Sequence, residues 1–86
     1  LVVRGAGDPT FGGRYTGGDL TATFRQWADS LAARGVRRVV GPVVGDDDAF
    51  DAVGWGRGWS WDDLWWGYAA EASGLQYNDG AVTLTK

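Results

Sequence analysis

The sequence predicts an α+β fold built on a small strand-helix-strand unit. Three segments predict it: a β-branched run at residues 1–4, an amphipathic segment at residues 19–34 and a second β-branched run at residues 36–44. Short connections between segments of this kind are typical of βαβ-like and α+β units. An irregular Trp-rich segment and a C-terminal hairpin complete the expected fold, and the 86 residues are interpreted as a single fragment, 1–86.

The first strand is predicted at residues 1–4, because Leu-Val-Val bounded by glycine is typical of a buried strand. Residues 5–18 are predicted to form a loop, since six glycines in this stretch permit positive φ angles. Pro9 restricts Asp8 to extended backbone. The Asp8 side chain can then accept hydrogen bonds from the backbone that follows it, which favours a structural turn here.

One amphipathic helix is predicted from Asp19 to Arg34. Its large apolar residues recur at spacings of four, three and four: Leu20, Phe24, Trp27 and Leu31. This spacing places them on one helical face, which we expect to lie in the core. Asp19 is expected at or near the N-cap, where a carboxylate accepts hydrogen bonds from free amide groups. Gly35 is expected to end the helix.

The second strand is predicted within residues 36–44, but Pro42 interrupts this run. Because proline cannot donate a ladder hydrogen bond, the segment is an edge strand, a bulge or two short strands. Residues 52–61 are rich in glycine and tryptophan and are predicted to be irregular. Residues 62–72 are predicted to hold one or two helical turns.

A hairpin is predicted at the C-terminal end of the chain. Asn78-Asp79-Gly80 is a strong signal for a tight turn, because these residue types tolerate positive φ. Residues 75–77 and 81–85 flank the turn and are predicted to be its two paired strands.

Composition argues against several classes of function. The chain has no cysteine and no histidine, which removes disulfides, thiolate metal sites and the commonest general base. Its net charge of −3 argues against nucleic acid as a partner, because phosphate binding needs a basic surface. No apolar run reaches the roughly 18–20 residues needed to cross a bilayer, so no membrane span is predicted. No metal ion or cofactor is predicted.

Two further segments are interpreted as structural. The acidic run at residues 46–48, followed by Asp51, lacks the glycine and distal glutamate of a calcium-binding loop, so a solvated strand end or turn is favoured. The glycine loop lacks the lysine and the spacing of phosphate-binding loops, so a tight turn is favoured there.

Five tryptophans lie within twelve residues: Trp55, Trp59, Trp61, Trp65 and Trp66. Two interpretations of this Trp cluster stay open. A small domain needs large side chains in its core, yet an irregular glycine-rich segment cannot turn five indoles inward. Exposed indoles beside carboxylates instead offer stacking faces, together with acceptors for an ammonium group or for sugar hydroxyls.

Three motifs in this order carry a family resemblance: Gly7-Asp8-Pro9-Thr10, Asp47-Asp48-Ala49-Phe50 and Trp59-x-Trp61-x-Asp63. The chain resembles the D-alanyl-D-alanine carboxypeptidase/endopeptidase family of penicillin-binding proteins, which are serine peptidases of the S13 type. The resemblance covers essentially all 86 residues. It implies an internal stretch of a larger protein, between the nucleophile motif of the family and its two later catalytic motifs. It also implies a bacterial, extracytoplasmic parent enzyme that acts on peptidoglycan stem peptides.

Catalysis by these 86 residues alone is not predicted, and no catalytic residue is assigned. Penicillin-binding serine enzymes use a Ser-x-x-Lys motif, with Lys-Thr-Gly further along the chain. Three positions after Ser30, Ser60 and Ser73 stand Ala, Asp and Gln. The one lysine is Lys86, so neither motif can be built, and a serine hydroxyl needs an adjacent base to react.

The resemblance implies four substrate-binding residues: Trp59, Trp61, Asp63 and Tyr68. In the family, this region can line the pocket for the diamino acid side chain of the stem peptide, with either Trp59 or Trp61 as the indole. A carboxylate such as Asp63 beside an indole suits a ligand ammonium group. The alternative hypothesis is a non-catalytic module that binds glycans or proteins through the Trp cluster.

Overall fold

The strand-helix-strand unit is present in the computed structural model, which describes residues 1–82 and 84–85. Strand β1 spans Val2–Arg4, helix α1 spans Ala22–Ala33 and strand β2 spans Val44–Asp46. Three short 3-10 turns follow these elements: Trp61–Asp63, Gly67–Ala69 and Asn78–Gly80. The described part of the chain is therefore an α+β arrangement, as the sequence predicts.

The two strands pair in parallel, with Val2 opposite Val44 and Arg4 opposite Asp46. An ion pair of 3.3 Å between the Arg4 and Asp46 side chains continues the pairing at the end of the ladder. Because parallel strands need a crossover connection, α1 lies between them in the chain. The first strand is thus confirmed.

The second strand lies later than predicted. Residues 36–43 form no strand, and β2 begins at Val44, two residues after Pro42. The Val44 amide donates to the Leu1 carbonyl at 2.9 Å, a bond that proline cannot make. The β-branched residues before Pro42 are left as an exposed connection, so the prediction of a strand over 36–44 was wrong for most of its length.

The helix is confirmed, but it begins three residues later than predicted. Its N-cap is Thr21, and the Asp19 carboxylate accepts hydrogen bonds from the Thr21 amide at 2.9 Å and from its hydroxyl at 3.0 Å. Asp19 therefore closes a turn before the helix. At the other end Gly35 has φ +85°, and its amide donates to the Ala32 carbonyl at 2.9 Å, as in a Schellman motif.

The predicted core face of the helix is only partly covered. Trp27 is 38% exposed and Leu20 is 48% exposed. The rings of this face instead form an aromatic cluster with two rings from outside the helix, at centroid distances of 5.0–5.6 Å: Phe11, Phe24, Trp27 and Tyr77. A two-stranded sheet of three-residue strands is too small to cover a helix, so the expected buried core is wrong.

The predicted hairpin is also wrong, although its turn forms. Asn78 and Asp79 have φ angles of 52° and 59°, as a type I′ turn requires, and the Gly80 amide donates to the Tyr77 carbonyl at 3.0 Å. No strand flanks the turn within the described residues of 75–85, and Thr83 lies outside them. The Asn78 amide donates to the Phe11 carbonyl at 2.8 Å, so the turn docks on the glycine loop.

The Trp-rich part follows the prediction more closely. Residues 52–60 contain neither helix nor strand, and two single 3-10 turns occupy parts of 61–72. The first, Trp61–Asp63, begins one residue before the segment predicted to be helical. The second, Gly67–Ala69, contributes Ala69, the one buried apolar side chain of the described chain.

The fold is elongated. Its principal extents are 49 × 31 × 23 Å and its Cα radius of gyration is 15.5 Å, whereas a compact domain of this length has a radius of about 12 Å. None of the described helices is long and apolar enough to span a membrane.

Candidate functional site

Two of the predicted substrate-binding residues are in direct contact. The Tyr68 hydroxyl donates a hydrogen bond to Oδ1 of Asp63 at 2.8 Å. Asp63 ends the first 3-10 turn and Tyr68 lies in the second. The Trp66 amide donates to the Asp63 carbonyl at 3.0 Å, and the Ala69 amide donates to the Trp66 carbonyl at 2.9 Å. These backbone bonds fold the two turns together and place the phenol against the carboxylate.

The contact between the two side chains has an electrostatic consequence. The hydrogen bond to Asp63 is the largest cause that raises the pKa of Tyr68, and desolvation and the Asp63 charge act in the same direction. The phenol therefore stays protonated at neutral pH and remains a donor. Within the described residues Oδ2 of Asp63 accepts no hydrogen bond, so it can accept one from a ligand.

Trp59 lines a groove together with Asp63. This shallow groove of about 330 Å³ is also lined by Arg57, Gly58 and Ser60. We call it the Asp63 groove. It presents an indole, a carboxylate and a guanidinium within one small surface. Such a set can contact an ammonium group through the carboxylate and a carboxylate through Arg57.

Trp61 is separated from the Asp63 groove. Its side chain is 74% exposed and lines a different depression of about 230 Å³ with Leu64 and Trp65. The structure thus places Tyr68 against Asp63 and Trp59 in the groove that Asp63 lines, and it places Trp61 in a different depression. Of the two indoles predicted as alternatives for the pocket, Trp59 is the one that lines the same groove as Asp63. The assignment of all four residues to a substrate pocket stays a prediction.

The Trp cluster divides into an anchored member and exposed ones. Nε1 of Trp55 donates to the carbonyl of buried Ala69 at 2.7 Å, so Trp55 is a structural residue. Trp65 and Trp66 are 86% and 62% exposed. The cluster therefore has one member with a structural hydrogen bond and others with exposed indoles, and a binding role for the exposed ones stays a prediction.

A larger cleft was missed by the sequence reasoning. It has a volume of about 550 Å³ and lies between the glycine loop and the C-terminal segment. We call it the loop–turn cleft. The residues that line it are Asp8, Pro9, Phe11, Arg14, Gly67, Tyr68, Ala70, Ala72, Gln76, Asp79 and Ala81. Arg14 and Asp79 form an ion pair of 2.9 Å on it. The sequence marks Asp79 only as a turn residue, and no local pattern pairs it with Arg14.

Asp8 forms the turn that the sequence predicts. Its Oδ1 accepts hydrogen bonds from the Thr10 amide at 2.8 Å and from the Thr10 hydroxyl at 2.6 Å. These bonds, the hydroxyl first, lower the pKa of Asp8, so this carboxylate is ionised at neutral pH. The acidic run is likewise part of a strand end: the Asp48 amide donates to Oδ1 of Asp46 at 3.2 Å.

Comparison with known protein families finds a match over the whole chain. The sequence model described as the D-Ala-D-Ala carboxypeptidase 3 (S13) family matches residues 1–86. No curated protein and no solved structure matches the chain. The family match therefore covers the glycine loop, the helix and the Trp-rich segment alike.

Proposed function

The chain belongs to the D-Ala-D-Ala carboxypeptidase 3 (S13) family, and we propose that it is one part of a serine peptidase that acts on peptidoglycan stem peptides. The match over all 86 residues carries this proposal. The reaction would be acyl transfer from D-Ala-D-Ala to a serine, followed by hydrolysis of the ester. The serines of this chain lack a lysine three positions on, so the rest of the protein would supply the nucleophile. Peptidoglycan lies outside the cytoplasm, and we therefore expect an extracytoplasmic bacterial enzyme.

The surface of the chain supports the view that it is part of a larger fold. It exposes 7277 Å², whereas a folded monomer of its 9.2 kDa mass exposes about 4,900 Å². The excess exceeds what one partner buries in a standard interface, about 800 Å². We expect further polypeptide of the same protein to cover this surplus surface. We assign this chain a scaffold role within that larger protein.

Sequencing the coding DNA outward from both ends of this segment tests the proposal. We expect Ser-x-x-Lys on the upstream side, and Ser-x-Asn and Lys-Thr-Gly on the downstream side. Stop codons close to both ends would contradict the parent enzyme and leave a free-standing module.

We further propose that the Asp63 groove is one wall of the substrate pocket. Three features of the groove support this role: the hydrogen bond from Tyr68 to Asp63, the adjacent Trp59 indole and the open position of the groove. The Tyr68 bond orients the carboxylate, so that its other oxygen can accept a hydrogen bond from the side-chain ammonium of a diamino acid. The indole offers a face to the same cation.

Substitution of Asp63 in the complete protein tests this wall. For Asp63→Ala we expect kcat/KM to fall about tenfold for stem peptides with a diamino acid, because a charged hydrogen bond is lost. Peptides with a neutral residue at that position should be cleaved as before. Asp62→Ala is the matched control, since neighbouring Asp62 does not line the Asp63 groove. An unchanged preference in Asp63→Ala would refute the assignment.

The exposure of Trp61, Trp65 and Trp66 favours a second candidate function, a module that binds glycans or proteins. Stacked sugars would quench tryptophan emission on addition of peptidoglycan fragments but not of stem peptides alone. Protein contacts through the indoles would instead make the chain associate as its concentration rises. If neither quenching nor association were observed, the second candidate function would be refuted and the peptidase proposal would remain.

A further inference from the structure

We propose that Asp79 is a latent site of isoaspartate formation, at which its side chain reacts with the amide of Gly80 and rearranges the backbone without an enzyme. The docked position of the Asn78 turn holds this reaction back. The proposal goes beyond the proposed function, because it concerns a covalent modification of the chain itself and requires neither a substrate nor a catalytic group.

The reaction joins a side-chain carboxyl group to the amide one residue later. The Gly80 nitrogen attacks Cγ of protonated Asp79, the bond from Cγ to the hydroxyl oxygen breaks, and the hydroxyl leaves with the amide proton as water. The product is a cyclic succinimide. Water then cleaves the bond between that nitrogen and the main-chain carbonyl carbon, so that the chain continues through Cγ as isoaspartate. A water molecule leaves and another returns, so the mass stays the same.

The sequence distinguishes Asp79 from the other aspartates, because it is the only one that a glycine follows. Glycine has no side chain, so its amide can approach the carboxyl group without steric hindrance. Neighbouring Asn78 could react with the Asp79 amide in a similar way, but both ends of its side-chain amide are bonded. Its Oδ1 accepts from the Gly13 amide and its Nδ2 donates to the Ala81 carbonyl, each at 3.4 Å.

The docked turn engages both reacting groups of Asp79 and Gly80. The Gly80 amide donates to the Tyr77 carbonyl at 3.0 Å, so its proton is held in a hydrogen bond. Oδ2 of Asp79 contacts Nη2 of Arg14 at 2.9 Å, so the carboxylate is held in an ion pair. Both contacts must break before the nitrogen can attack Cγ. The contacts that shape the turn therefore also protect it.

The turn is able to open, because few contacts hold it. The Asn78 amide donates to the Phe11 carbonyl at 2.8 Å, and the Asp79 side chain is 43% exposed. Among the described residues the one buried apolar side chain is Ala69, which lies outside the turn. Segments with few buried contacts open at a low cost in free energy. We therefore expect the folded chain to form isoaspartate slowly, through the open turn.

Isoaspartate at position 79 should prevent the turn from docking again. It adds a methylene carbon to the main chain between Asn78 and Gly80. The positive φ angles of Asn78 and Asp79 and the bond from Gly80 to Tyr77 depend on the normal spacing of this backbone. In the modified chain, separated by chromatography, we expect a changed chemical shift of the Gly13 amide, which donates to Asn78 in the docked turn.

Incubation of the 86-residue chain at neutral pH, followed by digestion and mass spectrometry, tests the proposal. Trypsin releases residues 58–86. Isoaspartate at position 79 gives a peptide of equal mass and different retention time, which endoproteinase Asp-N no longer cleaves before that residue. We expect this product to form at least about tenfold faster in the chain unfolded by guanidinium chloride, where both protective contacts are lost. Earlier reaction at another aspartate, or a mass increase from deamidation of Asn78 in its place, would overturn the assignment.

Variants then test the protective ion pair. Arg14→Gln should accelerate the reaction of the folded chain about two- to fivefold, the range expected from loss of an exposed ion pair. In guanidinium chloride the variant and the unaltered chain should react at the same rate. Arg37→Gln is the matched control, because Arg37 lies in the exposed connection before β2 and should leave both rates unchanged. An unchanged folded rate in Arg14→Gln, or equal rates in the folded and unfolded chain, would refute the protection.

Discussion

The hydroxyl of Tyr68 donates a 2.8 Å hydrogen bond to Oδ1 of Asp63 and so joins two consecutive 3-10 turns. The bond places the phenol between two surfaces, since Asp63 lines the Asp63 groove and Tyr68 lines the loop–turn cleft. One side-chain contact therefore orients a group on each of the two candidate sites.

Removal of the Asp63 charge should lower the pKa of Tyr68. The hydrogen bond and the nearby charge raise this pKa above its usual value of about 10. The contact stabilises the fold below pH 10, and this contribution is lost as the pH rises through the raised value. For Asp63→Asn we expect the pKa to return toward 10, measured from the ring carbon shifts of Tyr68. Asp62→Asn should leave the pKa of Tyr68 unchanged. If Asp63→Asn also left the pKa of Tyr68 equal to that in the unaltered chain, this result would contradict the contact.

Trp55→Phe should destabilise the fold by about 1–3 kcal/mol, because it leaves a buried carbonyl without its donor. The indole donates to the carbonyl of Ala69, whose side chain is the buried one. Trp65→Phe is the matched control, since Trp65 is 86% exposed. It should shift stability by no more than about 0.5 kcal/mol. Urea unfolding followed by circular dichroism compares the two, and similar midpoints would refute the anchoring role.

Gly12→Ala should destabilise the docking of the C-terminal turn by about 1–3 kcal/mol through overpacking. The added carbon would lie 2.7 Å from Cα of Asn78, which is backbone and cannot move aside easily. At Gly56 no described atom lies within 4 Å of such a carbon. Gly56→Ala should therefore be neutral or slightly stabilising. Unfolding midpoints measure both, and large shifts of the Asn78 and Tyr77 resonances should accompany only the first.

Asp19→Asn should remove part of the acid dependence of stability. Arg25 first, and then the Thr21 amide and hydroxyl, lower the pKa of Asp19. A lowered pKa stabilises the folded state above about pH 4, and this contribution is lost as the pH falls through the folded value. The difference in stability between Asp19→Asn and the unaltered chain should be fully present at pH 7 and shrink steadily as the pH falls from about 4 to about 2. A difference that is constant across this range would count against the ion pair.

Local patterns predicted local structure well. The periodicity of residues 20–31 found the helix, and Gly35 found its end, because both signals lie within a few residues of the structure they direct. The turn at Asn78-Asp79-Gly80 was found for the same reason. The strands predicted beside this turn do not form within the described residues, because the Asn78 amide bonds to the carbonyl of Phe11 in the glycine loop and not across a hairpin.

The contacts of the candidate sites likewise divide into those between residues close in the chain and those between residues far apart in it. Asp63 and Tyr68 are five residues apart, so two short turns are enough to join them. The pair of Arg14 with Asp79 joins the first loop to the last turn, and no periodicity or motif contains both residues. The cleft that they line could therefore not be predicted from the sequence.

By itself the sequence determined the α+β class, the helix, the turns and the family, because each depends on short motifs or on residue types in order. Only the tertiary structure decided the register of β2 after Pro42, the docking of the Asn78 turn and the separation of Trp61 from Trp59. These features depend on which distant backbone groups and side chains satisfy one another, and that choice is made when the whole chain packs.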